Sequence, residues 1–361
     1  MPAWPDDRIR DLFGIELPIL QAPMAGAVLA DMAVAVAEAG GLGALPAALL
    51  DAAGFRTQLG MIRQRTTKPI NVNFFCHRPP EPDPAREAAW KERLTPYYRQ
   101  LGLDPEMPAP AGQRAPFDPA FCALVEEFRP EVVSFHFGLP DQPLLDRVRA
   151  TGAKVIASAT TVAEAVWLTQ RGCDAIIAQG AEAGGHRGMF LTDGVEAQVG
   201  TFALVPQVVD AVSVPVIAAG GIADGRGIAA AFALGASAVQ IGTAYLFSPE
   251  ATIAPLHRKA LHEDRRRETA ITNVFTGRPA RGILNRVMRE LGPVSALAPA
   301  FPLAGGALAP LRAAAEPKGS DDFMSLWSGQ SAALGRDLPA AELTRALAAE
   351  ALSTLARLRQ A

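Results

Sequence analysis

Cysteine, tyrosine and long apolar runs are all scarce in this chain. Only three cysteines occur in 361 residues, and Cys76, Cys122 and Cys173 lie too far apart to form a CxxC pair. That number and spacing argue against a disulfide framework and against a zinc site, and they favour a reducing compartment. The sequence has no run of about 18 apolar residues that could cross a bilayer, and its first residues lack the basic start of a signal peptide. We therefore expect a cytoplasmic protein without a metal site.

An excess of either charge is also missing. The chain has 34 basic and 37 acidic residues, which give a formal net charge of -3. This balance gives no reason to expect binding to nucleic acid or to an acidic membrane surface. Hydrophobic residues make up 49% and charged residues 20% of the chain, as in ordinary globular proteins. The length allows one large α/β barrel or two domains.

Short apolar runs alternate with amphipathic segments of helix length, which is typical of βα units around a parallel sheet. Eight strands are predicted, at Pro18–Met24, Gly41–Leu45, Pro69–Phe75, Val132–Phe137, Lys154–Ser158, Asp174–Gln179, Pro215–Ala219 and Ala238–Gly242. The predicted helices between them include Ala30–Ala39, Thr161–Arg171, Thr201–Ala211 and Arg226–Leu234. Gly152, Gly172 and Gly235 each follow a helix, where a left-handed C-cap is expected. Eight such units, without a GxGxxG after the first strand, predict a TIM (β/α)8 barrel rather than an open dinucleotide-binding sheet.

Two segments interrupt the repeating pattern. Residues 76–118 are rich in proline and follow the third strand, where an insertion of this length predicts a lid or a small subdomain at the barrel mouth. Residues 251–361 contain helical runs such as His257–Glu268 and Ala340–Arg357, and they predict a C-terminal helical extension that packs on the barrel. The barrel itself is then assigned to residues 1–75 and 119–250.

Glycine-rich turns follow the predicted seventh and eighth strands. In TIM barrels the site lies at the carboxyl ends of the strands, and phosphate often binds after these two. Gly220, Gly221, Gly242 and Thr243 are therefore predicted to offer backbone N–H groups and one hydroxyl to a phosphate, with a neighbouring helix N-terminus adding its dipole. The alternative is that these glycines only make tight turns.

Other strand ends carry the groups that a planar ligand needs. Pro23 and Met24 end the first strand, Asn73 lies near the end of the third, and Gln179 ends the sixth. The two amides can hydrogen-bond the pyrimidine edge of a flavin, and Met24 offers an apolar surface beneath it. Together with the glycine turns, these residues predict a flavin site at the barrel mouth.

The five histidines have different surroundings. His186 lies between a Gly-Gly pair and an Arg-Gly pair, so we predict that it is catalytic, with its neutral form taking a proton or its cation holding an anionic substrate. His136 ends the fourth strand and is predicted either to contact substrate or to be a hydrogen-bonded core residue. His257 and His262 are predicted to be on a solvated helix surface, and His77 is given no role.

Several motifs in the chain resemble the nitronate monooxygenases of the bacterial class I type, a family formerly called 2-nitropropane dioxygenase. The matching segments are Gln21–Met24, Lys68–His77, Val133–Gly138, Ala178–Gly188, Ala218–Ile222, Gln240–Thr243, Gly277–Gly282 and Leu326–Gln330. The resemblance covers nearly the whole chain, and the AQGAEAGGHRG string of residues 178–188 is its most specific element.

The resemblance implies an FMN-bearing TIM barrel that oxidises alkyl nitronates with O2 to a carbonyl compound and nitrite. In that family the reaction passes through an anionic flavin semiquinone and requires no nicotinamide. His186 would contact the nitro group or act as base for a neutral nitroalkane. The resemblance is compatible with a homodimer. The residues implied to hold or line FMN are Pro23, Met24, Asn73, Gln179, Gly184, Gly220, Gly221, Gln240, Ile241, Gly242 and Thr243.

One departure from the family affects the substrate. Members that oxidise propionate 3-nitronate have tyrosines and a lysine near the substrate, whereas Phe301, Gly305 and Ala309 stand at the corresponding positions here. Phe117 stands where a further tyrosine is expected in the insertion. A phenol can hydrogen-bond a carboxylate or a nitronate, and phenylalanine or glycine side chains cannot. The native substrate is therefore left open by the sequence.

Two other functions fit part of the pattern. FMN-dependent enoyl-ACP reductases share the barrel and a similar EAGGH loop but take hydride from NAD(P)H. The segment Leu326–Gln330 and the AQG start of the loop favour the monooxygenase. A barrel that binds FMN or a phosphorylated metabolite without turnover is the non-enzyme alternative. An enzyme resembling IMP dehydrogenase would need a nucleophilic cysteine on an active-site loop, and the positions of the three cysteines argue against it.

Overall fold

The structure is a computed structural model that describes residues 3–108, 110, 114–196 and 198–360. This part of the chain contains eleven strands: β1 Ile19–Gln21, β2 Gly43–Pro46, β3 Ile70–Phe75, β4 Val132–His136, β5 Lys154–Ala159, β6 Ala175–Gln179, β7 Gly185–His186, β8 Val216–Ala219, β9 Ala238–Ile241, β10 Thr269–Thr272 and β11 Ala280–Ile283. Its α-helices are α1 Arg8–Phe13, α2 Ala30–Glu38, α3 Ala52–Arg65, α4 Pro84–Leu101, α5 Pro119–Phe128, α6 Gln142–Ala150, α7 Val162–Gln170, α8 Thr201–Ala211, α9 Gly225–Ala233, α10 Pro255–His262, α11 Arg286–Glu290, α12 Ala309–Ala315 and α13 Ala340–Gln360. None of the described helices is both long and apolar enough to cross a membrane.

Eight parallel strands form a barrel with the order β1-β9-β8-β6-β5-β4-β3-β2. A parallel bridge between Leu20 and Leu42 joins β1 to β2 and closes the ring. The strands are almost entirely buried, because side chains fill the barrel interior and helices cover its outside. At the amino-terminal end, Ile9 and Phe13 of α1 join the interior cluster. The predicted TIM (β/α)8 barrel is therefore confirmed.

All eight predicted barrel strands are present, with ends that differ by at most three residues. The largest difference is in β1, which ends at Gln21 rather than at Met24. Ala22 donates the last backbone hydrogen bond of this strand to Ile241, and Pro23 has no N–H with which to continue. The predicted C-cap glycines are confirmed, since Gly152, Gly172 and Gly235 have φ of +89°, +76° and +92°.

A second, antiparallel sheet was not predicted from the sequence. Its strand order is β10-β11-β7, and β7 consists only of Gly185 and His186. Ala280 is the register partner of His186, and Arg281 is the partner of Gly185. The loop that follows β6 is thus attached to the segment that follows α10, which restrains the His186 backbone.

The proline-rich insertion contains a long helix that packs away from the barrel. Asp83 caps α4, and Pro84 occupies its first turn, where a missing N–H costs nothing. Trp90 is 1% exposed and donates from its indole nitrogen to the Ala304 carbonyl at 3.1 Å. The buried face of α4 shares an apolar cluster with side chains between Val274 and Phe323. The insertion and the C-terminal segment therefore have a common core.

The last helix covers the barrel outside. α13 packs against α9 and α2, and Thr344 on α13 shares a hydrogen bond of 2.8 Å with the Tyr245 hydroxyl. The predicted run 257–268 is present as α10 followed by a 3-10 turn over Asp264–Arg267, and the predicted run 340–357 is present as α13.

Candidate active site

A cavity of about 310 Å³ lies at the carboxyl ends of the barrel strands. The structure brings twelve of the predicted site residues to its wall: Pro23, Met24, Asn73, His136, Gln179, Gly184, His186, Gly220, Gly221, Gln240, Gly242 and Thr243. Ile241 is the exception, because its side chain is 1% exposed and belongs to the barrel core. Twelve of the thirteen site residues predicted from the sequence therefore lie on this wall.

Gln240 is an unsatisfied group at the cavity wall. Its Oε1 is buried and accepts no hydrogen bond from a described residue. A buried acceptor left in that state costs about 1–3 kcal/mol, so native structures rarely keep one without a partner. A ligand with an N–H or O–H donor would satisfy it, and both the imide of a flavin and the hydroxyls of its ribityl chain provide such donors.

The two amides predicted to face a flavin have different roles. Asn73 donates from Nδ2 to the Ser134 hydroxyl at 2.9 Å and to its carbonyl at 3.2 Å, which leaves the Asn73 carbonyl oxygen for a ligand. Gln179 donates from Nε2 to the His186 carbonyl at 3.0 Å and accepts from the Gly188 N–H at 2.7 Å. Gln179 therefore holds the loop in place, and one remaining Nε2 hydrogen is all it can offer a ligand.

The turns after β8 and β9 form a cradle of backbone groups. Gly220 and Gly221 have φ of +111° and +71°, a conformation that side chains rarely adopt. Thr243 Oγ1 accepts from the Gly329 N–H at 2.9 Å, and the Ser331 hydroxyl donates to the Gly221 carbonyl at 2.7 Å. Gly329 and Ser331 also line the cavity. Gly329 and Ser331 were not predicted as site residues, because the fold brings them to the site from far along the chain.

The predicted helix dipole is not free to bind an anion. Glu182 occupies the N-terminus of α8, where its carboxylate accepts from the Thr201 N–H at 2.8 Å and from its hydroxyl at 2.8 Å. Asp224 caps α9 in the same way, accepting from the Arg226 N–H at 2.9 Å. A phosphate in this cavity would therefore depend on the glycine turns and the neighbouring hydroxyls.

The position and tautomer of His186 follow from its hydrogen bond. Its Nε2 lies 2.9 Å from Thr276 Oγ1, and that hydroxyl is 3.4 Å from the Arg278 carbonyl, to which it can only donate. Thr276 then accepts from His186, so the proton is on Nε2 and Nδ1 has the free lone pair. Nδ1 has no partner among the described residues and is not sealed from the cavity. His186 therefore presents a basic nitrogen to a ligand.

His186 is neutral in this environment. Burial is the main cause that lowers its pKa well below 6.5, and the Arg114 guanidinium is the next largest, followed by His136 and Arg278. A resting His186 cation is disfavoured by every one of these neighbours. A neutral His186 fits the first predicted role, proton acceptance, and burial and the neighbouring cations disfavour the cation that the second role would need.

His136 supports the His186 loop. Its Nε2 donates to the His186 carbonyl at 3.2 Å, and its Nδ1 lies 3.1 Å from the Ser158 hydroxyl. Burial lowers the pKa of His136 to about 3, so the ring is neutral. Both ring nitrogens are already used, which favours a positioning role over direct contact with a substrate.

An aromatic enclosure surrounds the His186 ring and was not predicted. Phe301 and Trp327 have ring centroids 5.4 Å from that of His186, and Phe137 and Phe75 lie at 6.0 and 6.1 Å. Phe137 has φ of +70°, which is uncommon for a bulky residue and is often found at functional sites. These rings come from β3, the end of β4 and the C-terminal segment, and they give the His186 ring apolar surroundings.

Of the three remaining histidines, one differs from its sequence prediction. His257 was expected to be solvated, and this is wrong: it is 8% exposed, its Nε2 lies 3.1 Å from the Trp327 carbonyl, and burial lowers its pKa to about 4. The buried face of α10 consists of His257, Ala260 and Leu261. His262 is exposed as predicted, beside Asp337. His77, which was given no role, is buried with its ring centroid 4.7 Å from that of Phe301.

Comparisons with known proteins agree with this geometry. The family model described as nitronate monooxygenase matches residues 6–350. The nitronate monooxygenase of Pseudomonas aeruginosa is 44% identical to this chain, with 95% of this chain and 99% of the relative covered. The nitronate monooxygenase of Paraburkholderia phytofirmans is also 44% identical, with 97% of this chain and 96% of the relative covered. The structure of nitroalkane oxidase from Streptomyces ansochromogenes has a TM-score of 0.88 and 40% identity, covering 97% of this chain and 99% of that one. FabK from Thermotoga maritima has a TM-score of 0.72 and 29% identity, with 99% of both chains covered. The chain therefore belongs to the nitronate monooxygenase family.

Proposed function

We propose that this chain oxidises alkyl nitronates with O2, giving a carbonyl compound and nitrite, with FMN bound in the cavity. The observation that carries the proposal is the buried, unsatisfied Gln240 Oε1 at a cavity that also presents the free Nδ1 of the neutral His186 imidazole. A base next to a ligand site, shielded by aromatic rings, suits the removal of a proton from carbon.

The residues at the cavity wall fit FMN. The turns at Gly221 and Gly242 and the Thr243 hydroxyl would hold the phosphate. Asn73 and Gln240 would meet the donors of the ring and the ribityl chain. When bound, FMN takes electrons from the substrate and passes them to O2.

The protein groups then do three things. His186 Nδ1 accepts the proton from the carbon next to the nitro group when the substrate is a neutral nitroalkane. A nitronate has already lost this proton and does not need the base. Thr276 and His136 hold the imidazole and its backbone in place, and the aromatic enclosure keeps water away from the acidic carbon.

The proposal is tested by an anaerobic visible spectrum of the purified protein before and after ethyl nitronate is added. We expect the spectrum of oxidised flavin at first and its loss on addition, with nitrite formed once air is admitted. Protein without flavin, or flavin that ethyl nitronate leaves oxidised, contradicts the proposal.

The similarity to FabK makes NADH the matched second addition. Under the proposal, NADH leaves the flavin oxidised over the time in which nitronate reduces it. Fast reduction by NADH without reduction by nitronate would support a reductase related to the enoyl-ACP enzymes. Bound flavin that responds to neither compound would support a binding protein.

The pH dependence of turnover tests the state of His186. Protonation of Nδ1 removes the base, so kcat/KM for a neutral nitroalkane falls as the pH drops through the His186 pKa. Because burial and Arg114 place that pKa below 6.5, we expect a level profile from mildly alkaline pH down to 6.5 and a decline only at lower pH. An activity loss centred above pH 6.5 would contradict this assignment. The same profile with a preformed nitronate serves as the control.

A further inference from the structure

Arg114 is a cation at the cavity wall with no part in the chemistry proposed above. It lies in the insertion between β3 and α5, and it lines the same cavity as His186. Burial lowers the pKa of its guanidinium, and no described carboxylate raises it again. An arginine that is largely removed from water without an acidic partner is unusual, because burial of an unpaired charge costs free energy.

The other arginine near His186 already has partners. Arg278 donates from Nη2 to the Met189 carbonyl at 2.5 Å, and its guanidinium lies 4.1 Å from the centre of the Phe137 ring. These contacts fix Arg278 as part of the aromatic enclosure. Arg114 is therefore the guanidinium that is available to a ligand at this end of the cavity.

The charges at this end of the cavity favour an anion. His77, His136 and His186 all have lowered pKa values and are neutral, and Asp193 and Glu164 lie near Arg278 but not near Arg114, so Arg114 is a cation here without a described carboxylate to balance it. The carboxylate of Glu182 also lines the cavity, but it accepts hydrogen bonds from the Thr201 N–H and hydroxyl beside the Gly221 turn. In a site with little water, a positive charge attracts an anion more strongly than it does in solvent.

The other arginine of the cavity wall, Arg312, already has an acidic partner, because its Nε donates to the Glu316 carboxylate at 3.0 Å. Phe301, Gly305 and Ala309 stand where relatives that use propionate 3-nitronate have hydroxyl and ammonium groups. A guanidinium presents two parallel N–H groups, which match the paired oxygens of a nitronate or a carboxylate. Arg114 can thus supply the hydrogen bonds that the lost side chains cannot.

We infer that Arg114 is the specificity-determining residue of this cavity and that its guanidinium binds an anionic oxygen group of the substrate. The identity of the substrate in this inference rests on the proposed function, whereas the presence of an anion site does not. The anionic group is either the nitronate head or a carboxylate on its tail. In both cases the site selects charged nitronates over neutral nitroalkanes.

The experiment compares the FMN-loaded wild type with Arg114→Gln and Arg114→Lys on ethyl nitronate, propionate 3-nitronate and neutral nitroethane. We expect Arg114→Gln to raise KM for at least one nitronate by roughly 10- to 100-fold, with a smaller change in kcat and a KM for nitroethane within about threefold of wild type. Arg114→Lys keeps the charge but loses the paired donors, so it should recover only part of the affinity. Arg93→Gln, an exposed arginine on α4 of the same insertion, is the matched control for the lost charge.

The pattern across substrates identifies the anionic group. An effect on both nitronates assigns Arg114 to the nitronate head, whereas an effect on propionate 3-nitronate alone assigns it to the tail carboxylate. Unchanged KM values for both, or equal losses on nitronates and nitroethane, would overturn the inference.

Binding of nitrate and of succinate separates this inference from the proposed function. Each is followed by its perturbation of the flavin spectrum, or by calorimetry if the protein holds no flavin. Nitrate mimics the planar nitronate head, and succinate supplies a carboxylate. If either anion binds more weakly to Arg114→Gln than to wild type, the anion site is supported. This holds even if wild type oxidises no nitronate, because that failure would refute only the proposed function. Binding of both anions that is the same in wild type and Arg114→Gln refutes the anion site even if turnover is normal.

Discussion

His186→Asn is expected to keep its FMN and to lose about 10²-fold or more of its kcat/KM with neutral nitroalkanes. A positioned general base typically contributes about 10²–10⁴-fold, and Asn has no nitrogen that can take a proton at these pH values. The Asn side chain is polar and smaller than imidazole, so the aromatic enclosure around it should remain closed. Steady-state kinetics with nitroethane, together with the flavin content, measure both parts of the prediction.

A preformed nitronate gives the internal control for this variant. Since its proton is already gone, the same substitution should reduce nitronate turnover far less than nitroalkane turnover. His262→Asn is the matched surface variant, because His262 is exposed and pairs with Asp337 outside the cavity. Wild-type activity of His186→Asn on nitroethane would show that another group acts as the base.

Gly221→Asp is expected to bind FMN at least about 10²-fold more weakly than wild type. The new carboxylate would stand beside the phosphate, and two like charges at short range in a partly buried site repel each other strongly. The position is sensitive for a second reason: a β-carbon added to Gly221 would lie 3.4 Å from Cβ of Glu182, which brings another carboxylate nearby. The ratio of flavin to protein absorbance and a titration of apoprotein with FMN measure the effect.

Gly221→Asn separates charge from shape in this experiment. Asn has nearly the same size as Asp, and both tolerate the left-handed φ of +71° better than other residues with side chains. We expect Gly221→Asn to keep much more FMN than Gly221→Asp, with both variants folded by circular dichroism. Full FMN occupancy in Gly221→Asp would show that the FMN phosphate does not bind at this turn.

The barrel and one wall of its cavity could be predicted because their signals are local. Each strand is a short apolar run, and each helix end has a glycine such as Gly172 where the chain must turn. In a barrel, the carboxyl ends of all strands meet at one mouth, so Asn73, Gln179 and Gln240 could be assigned to a common site from their positions alone.

The remaining parts of the site depend on contacts that are distant in sequence. The two-residue strand Gly185–His186 has no periodicity to detect, yet its pairing with Ala280 and Arg281 fixes the base. Thr276 and Arg114 do not lie in a recognisable sequence motif. Their roles follow only from distances and burial in the folded chain. The prediction for His257 was wrong because charged neighbours on α10 hid its buried face.

The common core of α4 and the C-terminal segment has a consequence for how the chain is made. Trp90 and its carbonyl partner at Ala304 are 214 residues apart. On a ribosome, the apolar face of α4 is complete long before the residues that cover it exist, and it must be kept from other chains during that interval. Nascent chains that end before Phe323, the last buried member of this cluster, would expose Trp90 and Tyr98. A holdase chaperone would bind these incomplete chains. It would not bind the full-length protein, in which the cluster is covered.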